Sequence, residues 1–328
     1  MTKIVTANPQ AIKEAAQILA AGGIVAMPTE TVYGLAANAR DGKAIARVFE
    51  AKGRPSFNPL IVHVYDLAAA MEIAEFTVRD LKIAESFWPG PLTLVLKRKE
   101  NCGISDLVSA GLSTLAVRVP AHKTARALIK ACGFPLAAPS ANASGSMSPT
   151  APAHVAQSLG DKVDMILADG LSAVGLESTV VDGMGNRMLI LRPGAITAED
   201  ISGVLGEDVA YDAGDHEKPR SPGQLLKHYA PSIPLRLNAV DVEDGEALLA
   251  FGSIKFMGVK GKGAAKDLPE HSFRNLSSEG DIYEAAANLF AMLRALDRPE
   301  NKGIAVMAIP AKGIGIAIND RLSRAASS

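Results

Sequence analysis

Residues 43–64, KAIARVFEAKGRPSFNPLIVHV, contain a complete change from helix to strand. The segment KAIARVFEA predicts a helix over 43–51, and LIVHV predicts a buried strand over 60–64 because it is a short apolar run bounded by turn residues. Between them, Gly53 suits a left-handed helix cap, and Pro55 prevents the helix from continuing. A helix followed at once by a buried strand is typical of an α/β fold.

The same alternation continues through the first two thirds of the chain. Further helices are predicted at 9–20, 67–87, 124–133 and from about Thr197, and further strands at 24–27, 93–99, 115–120, 135–141 and 163–170. In STVVDGMGNRMLILRPG (178–194) a Gly/Asn turn joins two apolar runs, which predicts a β-hairpin. Crossover helices combined with an antiparallel pair predict an α/β layout around a mixed sheet.

A polar segment divides the chain. Residues 207–232 are rich in proline and glycine and show no sustained period, so they are predicted to form a linker. Structureless segments of that length are usually functional or disordered. Beyond it, the apolar runs LRLN, ALLAFG, IKFMGV and IAVMAIP alternate with a helical segment, IYEAAANLFAMLRALD. We therefore predict a domain at 1–206, the linker at 207–232 and a small α/β domain at 233–328.

Composition excludes several classes of protein. The 328 residues suit two domains, and 48% apolar with 21% charged residues allow both to bury a core. The net charge of -1 lacks the basic excess of a dedicated nucleic-acid binder. The first residues lack the apolar region of a signal peptide, and no apolar run approaches the ~18 residues that span a bilayer. We expect a cytoplasmic protein without membrane association.

The two cysteines and the familiar nucleotide motifs give no site. Cys102 and Cys132 are isolated, without a CxxC pair or a histidine cluster at metal spacing, so we expect both to be reduced and buried and expect no metal site. The glycines in GVKGKGAAK (258–266) and AIPAKGIGIA (308–317) do not have the spacing of a P-loop or a dinucleotide fingerprint.

The cations of the opening stretch have two explanations. Lys52 and Arg54 fall at a helix C-terminus, where positive charge complements the helix dipole. However, Asn58-Pro59 adds more turn chemistry than a helix end requires, and PSANASGSMSPT (139–150) is a second loop rich in hydroxyl, amide and glycine residues. Such loops offer N–H groups and hydroxyls to an anion, and they follow strands, where α/β proteins bind ligands. The two loops together predict a phosphate site.

Other polar residues interrupt apolar segments in the same half. The Thr29-Glu30-Thr31 turn follows a buried strand, His63 lies inside LIVHV, and Arg118 lies inside LAVRV, where an arginine without a partner would be costly to bury. Glu177-Ser178-Thr179 opens the predicted hairpin, and Arg192 closes it. Each also has an ordinary structural explanation, as a turn residue, a core histidine or a surface charge.

An ordered set of motifs carries a family likeness. PTETVYGLAANA, KGRPSFNPLIVHV, FWPGPLTLVL, VRVPAH, APSANASGSMSPT, ESTVVD and LRPGAI, in this order, resemble the YrdC-type threonylcarbamoyl-AMP synthases. SPGQLLKHYAP and the closing helical segment GIAINDRLSRAA resemble the long form of that family, which has a linker and a C-terminal domain. The resemblance implies a YrdC-like twisted mixed sheet with helices around a cleft, and a smaller Rossmann-like α/β C-terminal domain.

The resemblance also implies an activity. Enzymes of this family are nucleotidyltransferases that join L-threonine, bicarbonate or CO2, and ATP into L-threonylcarbamoyl-AMP and pyrophosphate. The product serves the threonylcarbamoyl-transferase machinery that makes N6-threonylcarbamoyladenosine at tRNA position 37. Mg2+ is expected with the ATP, and direct tRNA binding is expected to be weak or absent. Such transfers depend on positioning and charge stabilisation rather than on a covalent nucleophile.

The family's site residues map onto this sequence by motif. The Lys-x-Arg and Ser-x-Asn signature corresponds to Lys52, Arg54, Ser140 and Asn142, with Lys52 and Arg54 as the catalytic cations. L-Threonine would be held by Thr31, His63, Arg118 and Ser178. ATP would be held by Lys52, Arg54, Asn58, Thr114, Ser140, Asn142, Ser148, Arg192 and Tyr229. Tyr229 lies in the linker, which is expected to close over the cleft as a lid and to exclude water from the labile carbamate.

Two other functions remain open at this stage. One is a non-catalytic protein that binds double-stranded RNA or tRNA through the same cations, with a steep dependence on salt. The other is a domain that acts on carbamoyl phosphate, although no acylphosphatase-like or zinc-finger segment accompanies it. The sequence does not identify the base for CO2 capture, the role of the C-terminal domain beyond anchoring the lid, or the oligomeric state.

Overall fold

The computed structural model describes residues 2–55, 57–212, 228–255, 257–259, 263–264 and 268–327. The chain forms two compact units. The first contains Met1–Ser144, Ser148–Ala173 and Glu177–Leu225, and the second contains Gly145–Met147, Val174–Leu176 and Leu226–Ser328. The limits 1–206, 207–232 and 233–328 stay predictions, and most of the predicted linker, residues 213–227, lies outside the described residues.

Six of the eight helices described in the first unit begin at a side chain that caps them. The eight helices are α1 (Pro9–Ala20), α2 (Gly42–Lys52), α3 (Leu67–Ile73), α4 (Val78–Phe87), α5 (Asp106–Ser109), α6 (Lys123–Cys132), α7 (Pro152–Leu159) and α8 (Ala198–Leu205). Asp41 accepts hydrogen bonds from the first turn of α2, and Thr77 and Thr197 form capping boxes before α4 and α8. The helices predicted at 9–20, 43–51 and 124–133, and the one from about Thr197, are confirmed.

The strands of the first unit form one mixed sheet. They are β1 (Lys3–Thr6), β2 (Val25–Met27), β3 (Gly34–Asn38), β4 (Ile61–His63), β5 (Ala74–Glu75), β6 (Leu92–Arg98), β7 (Thr114–Arg118), β8 (Leu136–Ala137), β9 (Met165–Ala168), β10 (Thr179–Asp182), β11 (Leu189–Arg192) and β12 (Ala210–Tyr211). Their order is β1-β9-β2-β3-β8-β4-β7-β6-β10-β11-β12, with β5 beside β6. β10 and β11 pair antiparallel, which confirms the predicted hairpin.

The two sides of this sheet have different surroundings. One side packs against helices in a large core that includes Val62, Leu94 and Val117. On the other side, Leu136 of β8 belongs to a second core that includes residues of α1 and α6. Because His63 pairs with Leu136 across the ladder, its side chain lies on this second side. The same side continues across β4, β7, β6, β10 and β11.

The second unit is a smaller α/β domain. Its strands are β13 (Leu235–Arg236), β14 (Asp241–Val242), β15 (Glu246–Ala250), β16 (Gly258–Val259), β17 (Gly263–Ala264), β18 (Phe273–Asn275) and β19 (Gly303–Val306), and its helices are α9 (Ile282–Leu296) and α10 (Gly315–Ala326). β13, β19, β15 and β18 form a parallel sheet in that order. The crossover from β18 to β19 runs through α9, as parallel strands require. The predicted α/β class is confirmed for both units.

Three details differ from the predictions. The segment 67–87 is two helices, because Thr77 caps a new helix and Ala74 pairs with Arg98 of β6. The strand predicted at 135–141 is confined to Leu136–Ala137. Both cysteines are free but only partly buried. In the described part of the chain no helix is long and apolar enough to cross a membrane.

Candidate active site

One side of five neighbouring strands carries four of the predicted site residues, His63, Thr114, Arg118 and Ser178. We call it the site face; it consists of Ile61, His63, Thr93, Val95, Thr114, Ala116, Arg118, Ser178, Val180 and Leu191. Side chains alternate along a strand, so Thr114, Ala116 and Arg118 share one side of β7. Arg118 pairs with both His63 and Thr93, which brings these three residues to one end of the face.

An apolar floor separates the two ends of the site face. Ile61, Val95, Ala116, Val180 and Leu191 form a distinct buried cluster, built among the described residues from strand side chains. Thr114 lies at the opposite end of β7 from Arg118, roughly 13 Å away at the usual rise of a strand. The face therefore presents polar groups at both ends of an apolar stretch, a pattern that suits an extended substrate with polar groups at its two ends.

Lys52 joins the two halves of the Lys-x-Arg and Ser-x-Asn signature. It is the last residue of α2, which Gly53 ends in a left-handed conformation with φ 58°. Its Nζ donates to the carbonyl oxygens of Ser140 at 2.6 Å and Asn142 at 2.5 Å. Burial, and then the charge of Arg54, hold the pKa of Lys52 well below its ordinary value, although Glu177 opposes the shift.

Arg54 and Asn58 form the turn that follows α2. The Arg54 guanidinium donates from Nε to the Asn58 carbonyl at 3.2 Å and from Nη2 to the Pro59 carbonyl at 3.0 Å. Asn58 is buried, and its Oδ1 accepts no hydrogen bond from the described residues. Because buried polar atoms are nearly always bonded, this oxygen is suited to a ligand donor.

Three hydrogen bonds fix the guanidinium group of Arg118. Its Nε donates to the Gly90 carbonyl at 3.2 Å, its Nη1 to Thr31 Oγ1 at 2.9 Å, and its Nη2 to Glu30 Oε1 at 2.5 Å. A guanidinium carries five N–H donors, so one on each terminal nitrogen is left for a ligand. The remaining pair suits a carboxylate.

His63 is a neutral histidine on the site face. Its Nδ1 lies 3.2 Å from the Ile61 carbonyl, which can only accept, so Nδ1 carries the proton and Nε2 is an acceptor. Burial first, and then the charge of Arg118, lower the pKa of His63 to about 3; Glu30 opposes the shift. His63 therefore offers a ligand an acceptor rather than a positive charge.

Ser178 lies where the hairpin meets β6. Its Oγ shares a hydrogen bond of 2.7 Å with Thr93 Oγ1 and accepts another of 3.1 Å from Arg192 Nη2. Arg192 also donates from Nε to the Ser178 carbonyl at 3.1 Å. Its neighbour Glu177 is buried and accepts a hydrogen bond from Ser148. The hairpin predicted from sequence thus places Ser178 and Arg192 side by side.

Sequence reasoning assigned no role to Thr93, Glu30 or Glu177. Thr93 is inside an apolar strand, and only the strand register shows that it faces Arg118. Glu30 and Glu177 are sequence neighbours of Thr31 and Ser178, which were predicted to bind threonine. Their carboxylates contact Arg118 and Ser148, respectively. In the sequence, the signal available for Glu30 and Glu177 was that each carboxylate stands next to a residue predicted to bind a substrate.

Tyr229 belongs to the second unit. Its side chain is 1% exposed and packs against Phe290, with the Arg321 guanidinium 5.3 Å from its ring centroid. Its φ of 68° is in the left-handed region, which is unusual for a residue other than glycine. Its contact with ATP stays a prediction.

The arrangement of the first unit matches a known family. The family model described as "Telomere recombination", for Sua5, YciO and YrdC, matches residues 17–194, and the model described as "Threonylcarbamoyl-AMP synthase, C-terminal domain" matches residues 196–327. The chain belongs to the Sua5/YciO/YrdC family. It has the long form, with the Sua5 C-terminal domain.

Members of this family are similar to the chain over nearly its whole length. A threonylcarbamoyl-AMP synthase of Bacillus subtilis is 38% identical over 99% of this chain and 96% of its own. One from Pyrococcus abyssi is 39% identical over 96% and 93% of the two chains. The crystal structure of P. abyssi Sua5 complexed with L-threonine matches with a TM-score of 0.87 and 34% identity, covering 99% of this chain and 97% of that one.

Proposed function

We propose that this chain is an L-threonylcarbamoyladenylate synthase. It condenses L-threonine, bicarbonate or CO2, and ATP into threonylcarbamoyl-AMP, and it releases pyrophosphate. Full-length similarity to threonylcarbamoyl-AMP synthases supports the reaction. The observation that carries the proposal in this structure is the contact of Lys52 with Ser140 and Asn142, which unites two loops of polar residues beside the site face.

Cations and loop groups near α2 would hold ATP. Arg54 brings positive charge to a buried position, and the negative charge of bound phosphates would oppose the lowering of the Lys52 pKa and favour its charged form as well. In such a position a cation stabilises transferring phosphates far more than it would in water. The buried oxygen of Asn58 is available to a donor of the nucleotide. The other proposed ATP contacts are Thr114, Ser140, Asn142, Ser148, Arg192 and Tyr229.

The opposite end of the site face would hold L-threonine. The two remaining N–H donors of Arg118 suit the carboxylate. His63 Nε2 is an acceptor for the side-chain hydroxyl, and Thr31 and Ser178 supply further hydroxyls. The threonine ammonium loses a proton to solvent, the neutral nitrogen attacks CO2 and loses a second proton, and an oxygen of the resulting carbamate then attacks the α-phosphorus as the bond to pyrophosphate breaks. The carbamate is labile in water, and the apolar floor of the site disfavours water there.

Mg2+ would accompany ATP as part of the substrate. Among the described residues, no group of three or more His, Cys, Asp or Glu side chains is placed to hold a metal ion. Mg2+ neutralises phosphate charge when it is bound. The predicted linker, residues 207–232, would act as a lid, in which Tyr229 would close over the nucleotide.

The product would supply a downstream threonylcarbamoyl-transferase machinery that modifies position 37 of tRNA in the cytoplasm. A mixed anhydride of a carbamate and AMP is an activated acyl donor, so an enzyme that consumes it is required. We propose that this chain itself binds tRNA weakly or not at all, consistent with its net charge of -1.

The test uses the full-length protein with ATP, labelled bicarbonate and L-threonine. The expected result is pyrophosphate together with a labelled adenylate, both dependent on L-threonine. Pyrophosphate release that ignores threonine would contradict the proposal. Salt-sensitive binding of double-stranded RNA without adenylate formation would favour the binding-protein alternative.

A further inference from the structure

Glu30 is a largely buried carboxylate that pairs with Arg118, one of the proposed threonine contacts. Its Oε1 accepts from Arg118 Nη2 at 2.5 Å, and its Oε2 accepts from the backbone N–H of His122 at 3.3 Å. Its side chain is 12% exposed, and Thr31 is its neighbour in sequence. Contacts on both oxygens fix the orientation of the carboxylate before any ligand arrives.

Charges around Glu30 keep it ionised. Burial alone would raise the pKa of Glu30, but the charge and hydrogen bond of Arg118 outweigh burial and leave the pKa below its ordinary value. The charge of Glu30 also opposes the lowering of the His63 pKa by burial and by Arg118. Burial lowers the pKa of His122, and the charges of Asp169 and then Glu30 oppose that shift.

The proposed threonine contacts lack a partner for one end of the substrate. A free amino acid carries both a carboxylate and an ammonium group, and burying either without an opposite charge is costly. Thr31, His63, Arg118 and Ser178 offer one cation and three neutral side chains. Glu30 adds the missing negative charge, and its pair with Arg118 makes the subsite electrically neutral, like the zwitterion itself.

On the basis of the proposed function, we propose that Glu30 binds the ammonium group of L-threonine while Arg118 binds its carboxylate. The pair is a preformed receptor for an α-amino acid. Carbamate formation releases two protons from the ammonium nitrogen to solvent and leaves that nitrogen uncharged, so Glu30 attracts the free amino acid more strongly than the carbamate. Its loss should therefore raise the dissociation constant and KM for L-threonine more than it lowers kcat.

Calorimetry on the full-length protein without ATP tests this assignment. The two ligands are L-threonine and 2,3-dihydroxybutanoate of matching configuration, which keeps the carboxylate and replaces the amino group by a hydroxyl. In Glu30→Gln, affinity for L-threonine should fall about 10-fold or more, as for loss of a charged hydrogen bond, while affinity for the analogue stays within about twofold. Equal losses for both ligands would overturn the proposal, because they would mean that Glu30 only positions Arg118.

Asp164→Asn is the matched control. Asp164 also pairs with an arginine, Arg47 at 3.0 Å, and accepts from a backbone N–H, that of Ile24 at 2.7 Å, but it is not part of the site face. This variant should bind both ligands like the wild type. Glu30→Asp keeps the charge and provides a second variant if Glu30→Gln does not fold; its affinity for L-threonine should fall more than its affinity for the analogue.

Two further outcomes separate this proposal from the proposed function. Failure of the wild type to bind L-threonine, or to use it in adenylate formation, would overturn both. Wild-type binding and turnover with L-threonine, combined with unchanged threonine affinity in Glu30→Gln, would overturn only the role of Glu30.

Discussion

The ammonium group of Lys52 lies 2.5 Å from the carbonyl oxygen of Asn142, although 90 positions separate the two residues. Lys52 ends α2, and Asn142 lies in the loop that follows β8. A second hydrogen bond to the Ser140 carbonyl fixes the same loop. Lys52 therefore has two physical roles, since it orders the loop and brings a buried charge to the site.

Replacement of Lys52 separates these roles. Lys52→Met should lower adenylate formation by about 100-fold or more at saturating substrates, because a positioned cation is removed from a buried site. It should also lower stability, because the Ser140 and Asn142 carbonyls lose their buried donor. Pyrophosphate release and the thermal midpoint measure the two effects. Nearly full activity combined with a lower midpoint would mean that Lys52 only anchors the loop.

His63 should make the first unit less stable in acid. Its pKa is about 3 in the folded chain against an ordinary value of 6.5. Between these values the unfolded chain binds a proton at His63 and the folded chain does not, so stability falls as pH falls through that window, by up to about 1.4 kcal/mol per unit. Above pH 6.5 both states are neutral at this residue, and the effect vanishes.

His63→Gln isolates that contribution, because the other titrating groups largely cancel in the comparison. Urea unfolding between pH 4 and 7, followed by the fluorescence of Trp88, the only tryptophan, reports on the first unit. Stability of the variant should fall less steeply toward acid than that of the wild type. Parallel curves would show that His63 titrates normally in the folded protein.

Arg118→Lys should weaken threonine binding selectively. A lysine keeps the charge but cannot donate to Gly90, Thr31 and Glu30 while also presenting a fork to a carboxylate. The dissociation constant for L-threonine should rise about 10-fold or more, and that for ATP should change by less than about threefold. Calorimetry with each ligand checks this, and equal effects on both would contradict the division of the site face into two ends.

The sequence predicted the helices and strands that carry the site better than it predicted the contacts between their side chains. Gly53, Pro55 and the helix caps are local features, so the helix ends and the hairpin could be found from nearby residues. The role of Thr93 could not, because it depends on the register of β6 against β7 and β10. The hydrogen bonds from Lys52 to Ser140 and Asn142 depend in the same way on tertiary structure, because they join two segments that are far apart in sequence. Burial of Tyr229 in the second unit likewise depends on tertiary contacts made by Phe290 and Arg321.

Ser178 and Arg192 should couple the two substrates. Ser178 is a proposed threonine contact and Arg192 a proposed ATP contact, yet Arg192 donates to both the carbonyl and the hydroxyl of Ser178. Loss of either partner should therefore weaken the effect that one bound substrate has on the affinity for the other. Ser178→Ala, Arg192→Lys and the double variant form a thermodynamic cycle.

The cycle compares the affinity for L-threonine with and without a non-hydrolysable ATP analogue. The single variants should each reduce the ratio of the two affinities. The double variant should reduce it by less than the product of the single effects, because both changes remove the hydrogen bond from Arg192 to the Ser178 hydroxyl. Thr93→Val is the internal comparison. It removes the other hydrogen-bond partner of Ser178 Oγ but leaves Arg192 in place, so it should weaken threonine binding in both conditions and leave the ratio unchanged. Multiplicative effects of the Ser178 and Arg192 changes would show that the two residues act independently.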